Sequence, residues 1–217
     1  AIARDTSAAV GQSTGLATYT QAYTCTGTNL TLVVGFTTGT ADDVTAVTYN
    51  GVAMTQAQKV QMSGSSRWSY IYYLINPATG SNTVQWDFSA TQDIVFGAIA
   101  SYTGTNQSAI DGSAQVSVNG NTTLTSAQTV TTDQAGVAVH FYPTGANITA
   151  STGATFIQTV SDNVAFSDTN AAVSPGTNSQ TVTWTGSANG RSLSVSIAPA
   201  AAAGGVVRRR MMTGIGR

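Results

Sequence analysis

Few side chains in this sequence have the chemistry to run a reaction, and their spacing argues against one. The only histidine is His140, set in the alternating stretch GVAVHFY. Nucleophilic catalysis needs a nucleophile beside a positioned base, most often His. A histidine inside an alternating strand is ordinarily a packed or surface residue, and no G-x-S-x-G elbow accompanies the many serines. All nine acidic residues are Asp. Asp42, Asp43, Asp93, Asp111, Asp133, Asp162 and Asp168 fall in turn-like stretches, where a short carboxylate caps local N–H groups. Asp87 alone lies within a strand, beside Trp86. Paired carboxylates for glycoside hydrolysis are therefore not indicated. Asp42 and Asp43 form a weak calcium candidate, because hard oxygen ligands gather in strand-connecting loops, but no D-x-D-x-D-G frame surrounds them. Cys25 stands alone, which excludes an intrachain disulfide and a cysteine metal cluster. The expectation is a non-enzymatic protein with no cofactor and no resident metal.

Two groups of residues could bind rather than react. Trp68, Tyr70 and Tyr72 alternate with Ser69 and Ile71 in RWSYIYYLI and so share one face of a strand. That face is either core or subunit contact, or else a stacking platform for a sugar. The second group is the C-terminal segment VVRRRMMTGIGR, with Val206, Val207, Arg208, Arg209, Arg210, Met211, Met212 and Arg217. The first 205 residues carry four basic side chains against nine acidic ones, a net charge of −5, while the last twelve carry +4. Three adjacent arginines behind an acidic body are too small a footprint for nucleic acid. A mixed apolar and cationic tail suits docking on a neighbouring protein subunit by strand addition with flanking salt contacts. It follows AAAAGG, a small-residue linker, and reads as an extension that orders on contact.

The elements that must position these residues are strands. There is no Glu, and Lys59 is the only lysine, so the best polar helix formers are nearly missing while Thr, Ser, Asn and Gly favour strands and turns. Charged residues are 8% of the chain and hydrophobic ones 41%, enough for a core and too little charge for an ordinary cytosolic surface. About fourteen strand candidates recur at roughly 8–12-residue spacing, the pattern of a sandwich or barrel. Asn50-Gly51 between VTAVTY and VAMTQAQKV is a strong hairpin signal. Residues 1–14 read as an arm or a first edge strand, and the sandwich spans 15–199. No run reaches the ~18 apolar residues of a membrane helix.

The chain also echoes itself. NLTLVVGF is matched by QAGVAVHFY, and GSNTVQW by GTNSQTVTW, so that Trp86 corresponds to Trp184. Residues of about 29–106 and 134–198 are thus predicted to be two related halves. At this length they are expected to interleave as the two Greek keys of one jelly roll, with two stacked smaller sandwiches as the alternative.

The frame DDVTAVTYNGVAMTQ, YLINPATGSNTVQW and VFGAIASYTG resembles a β-sandwich module that recurs in structural proteins of tailed bacteriophages and in bacterial adhesin-like proteins. The likeness covers about residues 30–106. It implies a virion component such as a capsid decoration protein, head fibre or tail accessory protein, made in the host cytoplasm and assembled there. The partners implied are other virion proteins and copies of the same chain, with no nucleic acid and no membrane. The adhesin side of the resemblance implies instead an extracellular module that binds a host-surface glycan.

Overall fold

The computed structural model describes residues 2–12, 15–39, 41–130, 136–153, 155–161, 164–169 and 173–201. Nine strands come from the first part of the chain: β1 (Ala3–Gln12), β2 (Leu16–Cys25), β3 (Thr31–Thr38), β4 (Val44–Tyr49), β5 (Val52–Ala53), β6 (Thr55–Gln61), β7 (Trp68–Ile75), β8 (Gly80–Gln92) and β9 (Val95–Thr103). Six follow: β10 (Gly112–Val130), β11 (Val137–Pro143), β12 (Ile148–Thr152), β13 (Thr155–Ser161), β14 (Val164–Asp168) and β15 (Gly176–Ile197). The protein is all-β, with antiparallel sheets packed on one another, as the composition and spacing predict.

The first half is a two-layer sandwich. One sheet runs β1-β9-β3-β7-β6 and the other β2-β8-β4-β5. The hairpin at Asn50-Gly51 forms as expected, with φ of 51° and 75° at its two central residues. Both angles are left-handed, the geometry of a turn whose twist matches the flanking strands. Its second arm does not stay one strand. VAMTQAQKV leaves β4 after Val52–Ala53, and from Thr55 it pairs with β7 in the opposite layer. The N-terminal segment is an edge strand along β9, from Ala3↔Thr103 to Gln12↔Val95.

The second half repeats this plan with fewer breaks. Its order is β10-β15-β11-β14-β13, and β12 also pairs with β15. The 19-residue β10 and 22-residue β15 each serve both layers. Gly112–Val118 of β10 pairs with Gly190–Ser196 of β15, and Thr123–Val130 pairs with Gly176–Thr183. Register shifts near Asn121 separate the two ladders. So β10 occupies the places of β1 and β2, and β15 those of β8 and β9. The sequence suggests turns at NGN and in TGSANG. Instead the strands kink and continue, with Gly120 (φ 69°) and Gly186 (φ 71°) taking the backbone where an L side chain is strained.

The two halves stack rather than interleave, which corrects the expectation of one jelly roll with shared sheets. Among the described residues every ladder joins strands of the same half. The layers that meet between the halves are covered on both faces, so β3 and β11 are buried at every position. Leu32, Val34 and Phe36 face the first half's own interior, with Tyr49, Tyr70 and Trp86. Val33, Ile71, Ala98, Ala100 and Tyr102 face the other way, onto Val139, Phe141, Phe166, Leu193 and Val195 of the second half. That apolar seam is where the halves join. At its centre Phe141 sits over Gly35, where an added Cβ would lie 2.8 Å from the ring.

Candidate functional site

The aromatic strand is core. Tyr70 is 0% exposed and Tyr72 8%, and both stack on Phe36 with centroids 5.0 and 5.9 Å apart. A sugar cannot reach either ring, so Trp68, Tyr70 and Tyr72 do not form a platform. The pleat put all three on one face, and the second sheet of the first half covers that face. Trp68 is half-buried at the edge of this cluster, with Lys59 Nζ 5.4 Å from its ring centroid.

Asp42 and Asp43 diverge instead of converging on a cation. Asp42 pairs with Lys59 at 2.5 Å and accepts from the Tyr70 hydroxyl at 3.0 Å. Asp43 is buried and accepts from Gln92, with its other oxygen unbonded. No group of three or more potential metal ligands occurs among the described residues. Asp87 is occupied on the outer face by Thr18 and Gln85. The tail residues Val206, Val207, Arg208, Arg209, Arg210, Met211, Met212 and Arg217 lie outside the described residues.

The unusual chemistry is inside the second half. His140 is 0% exposed and its Nδ1 lies 3.0 Å from Ser126 Oγ. Its ring stacks on Tyr142, with centroids 5.7 Å apart and planes 5° apart. Around it, Ser167 donates to Gln180 at 2.7 Å and Ser194 donates to Gln128 at 2.9 Å. Ser126, Gln128, Ser167, Gln180, Ser192, Ser194 and Ser196 are all buried. His140 Nε2 and Trp184 Nε1 have no partner. Burial without a compensating charge pushes the His140 pKa down to about 3, so the ring is neutral at ordinary pH. A serine hydroxyl on a neutral imidazole has the elements of a nucleophile and base. Both groups are sealed from solvent, and nothing orients Nε2 as the third member of a triad would. The pair acts as a structural hydrogen bond.

A second set of polar groups flanks the apolar seam. Arg4 on β1 pairs with the fully buried Asp168 on β14 at 3.1 Å, and the Tyr102 hydroxyl donates to the same carboxylate at 3.0 Å. Arg191 on β15 crosses in the other direction. Its Nε donates to Ser69 Oγ at 2.5 Å and its Nη2 to Thr37 Oγ1 at 2.7 Å. Arg191 is 0% exposed, and burial together with the nearby Arg67 lowers its pKa to about 9. These residues escaped sequence reasoning because a polar residue in an alternating strand reads as solvent-facing. In RSLSVSIA the serines face a second interior. The signal that could have found them is the duplication: strands matching the fully buried β3 and the mostly buried β9 must also be covered on both sides. Comparison of the chain with protein-family models, curated proteins and solved structures found no match.

Proposed function

We propose that this chain is a non-enzymatic structural component of a tailed-phage particle, assembled through contacts between copies and an anchoring C-terminal tail. The observation that carries the reading is strand order. In the first half the sheet β1-β9-β3-β7-β6 lies over β2-β8-β4-β5, an order we read as that of a jelly roll with one added edge strand, and the second half follows the same plan. Jelly rolls recur in viral capsid and lectin domains. Two of them joined face to face by an apolar seam make a rigid block.

The charges support close packing. Asp42 and Asp168 are paired within the chain by Lys59 and Arg4, and Asp87 accepts hydrogen bonds from Thr18 and Gln85. The outer surface of β10 and β15 is a hydroxyl ladder, with Thr125 and Thr181 hydrogen-bonded at 2.8 Å. The glycan-binding alternative is weakened, because two of the three rings proposed for it are core.

The test is incorporation. Purified particles are expected to contain the full chain, and a chain lacking residues 206–217 is expected to fold yet be lost from them. Full incorporation of the truncated chain removes the anchor. A full chain that stays monomeric at high concentration and is absent from particles removes the proposal.

A further inference from the structure

We propose that Arg191 forms the floor of a small-anion site in the seam between the two halves, fitted to a halide-class inorganic monoanion. The position itself is informative. On β9, Phe96 lies between Gly11 of β1 and Thr37 of β3. On β15 the matching residue, beside Ser117 of β10, is Arg191. A partly buried aromatic ring of the first half is thus replaced in the second by a guanidinium sealed completely from water.

The guanidinium is only partly satisfied. It has five N–H donors in a planar fork. Nε and Nη2 each meet a hydroxyl, on Ser69 and Thr37, which are cross-strand neighbours in the β3–β7 ladder. Both hydroxyls are neutral, so the positive charge has no carboxylate; the ion pairs among the described residues are Arg4–Asp168 and Lys59–Asp42. Nη1 is buried with no hydrogen-bond partner among the described residues. An unpaired buried cation is among the most costly groups a fold can hold, and native structures pair it or bind a counter-ion.

The neighbours reinforce the case. Arg67, two residues before Ser69, is close enough to depress the Arg191 pKa. Thr37 donates its own proton to the Trp68 carbonyl at 2.9 Å. Ser69 accepts from Arg191 and keeps its own proton for an acceptor. An anion at Nη1 would collect donors from Arg191 and Ser69 and lie in the field of Arg67. Two residues before Arg191, Asn189 Nδ2 donates to the Ser63 carbonyl at 2.6 Å and ties the loop after β6 to β15. A sealed site of this kind favours a compact monoanion over a bulky phosphate ester.

The experiment uses the full chain and bromide as probe. Crystals soaked in bromide should show an anomalous peak beside Arg191 Nη1. In solution, replacing gluconate by bromide at constant ionic strength should raise the midpoint of thermal unfolding by about 3 °C or more. Arg191→Met should abolish the rise. If that variant fails to fold, Arg67→Gln, an exposed position, should shrink the rise while leaving the bromide-free midpoint nearly unchanged. An anomalous map with no peak at Nη1, a bromide-insensitive wild type, or variants that respond as fully as wild type would overturn the site.

Discussion

In the first half Val34 lies between Ile99 of β9 and Tyr72 of β7. At the matching place in the second half His140 lies between Ser194 of β15 and Ser167 of β14. The backbones have the same order of strands, yet one interior is packed with rings and branched chains, while the other mixes a smaller apolar cluster around Leu124, Tyr142, Val182 and Trp184 with buried hydroxyls and amides. Trp86 is enclosed by Tyr19 and Phe36. Trp184 lies on Gly190, where a Cβ would come within 2.6 Å of its ring. The difference separates two things usually lumped together. Strand order follows from where strands start, stop and kink, whereas stability depends on what each face covers. The second half places Val137, Val139, Phe141, Phe166, Leu193, Val195 and Ile197 in the seam, outside its own sandwich. It is a fold that leans on its neighbour.

Separating the halves gives the largest effect. A fragment of residues 1–106 retains the ring-rich interior and is expected to unfold cooperatively in urea, although its bare seam face would make it associate. A fragment of residues 107–217 leaves its best apolar side chains in water and is expected to show no cooperative transition by near-ultraviolet circular dichroism. A second half that folds alone would erase the distinction between the interiors.

Acid is expected to find the same asymmetry. The folded pKa of His140 lies near 3, below the unfolded value of about 6.5. Below pH 6.5 the unfolded chain therefore binds a proton that the folded chain refuses, and stability falls as pH falls. The loss is about 1.4 kcal/mol per pH unit, or roughly 2–3 kcal/mol between pH 6.5 and 4.5. Removing both partners in His140→Val with Ser126→Ala leaves no orphaned group and should cost little at pH 8. Urea midpoints at pH 8 and 4.5 would check this. The double variant should lose that part of the slope, while an unchanged slope would place the acid sensitivity elsewhere.

Much of the architecture was legible in the residues. The missing Glu, the strand spacing and the left-handed pair Asn50-Gly51 specified antiparallel sheets. The Trp86–Trp184 echo foretold a duplicated strand plan. The stacking was not legible, because alternation reveals one buried face and says nothing of a second. In β11 His140 read as a packed or surface residue, and the alternation in RSLSVSIA does not say what covers the face of Ser192, Ser194 and Ser196. Gly120 and Gly186 looked like turns, since a glycine with positive φ serves a kink as well as a turn. The aromatic face of β7 was legible as a face, and only the covering sheet decided that it is core.

The seam can be probed where it is tightest. Gly35→Ala places a methyl 2.8 Å from Phe141 Cγ and 3.0 Å from its Cβ. Phe141 is fully buried and cannot retreat, so a loss of about 1–3 kcal/mol is expected. Phe141→Leu alone leaves space and also destabilises, but combined with Gly35→Ala the losses should be less than additive. A double-mutant cycle in urea measures that coupling. Strict additivity would mean that the two halves do not bear on each other at this point.

The smallest effect concerns charge at the rim of the first half. Lys59 reaches Asp42 at 2.5 Å, but their side chains are 41% and 32% exposed. Water and salt screen such a pair, and its worth is roughly 0–1 kcal/mol. The ammonium also lies 5.4 Å from the Trp68 centroid, a contact of about 0.5–1 kcal/mol at an exposed site. Lys59→Gln keeps the length of the stem over the ring and leaves the Tyr70–Asp42 hydrogen bond in place. Its cost should therefore stay near 1 kcal/mol or below, and should shrink as salt is raised. Arg191 is the opposite case, a charge sealed in the seam with neutral partners, whose contribution salt cannot screen in the same way. If Lys59→Gln proved as damaging as a change at Arg191, exposure would not be what separates the two charges, and the rim of the first half would have to be counted with its core.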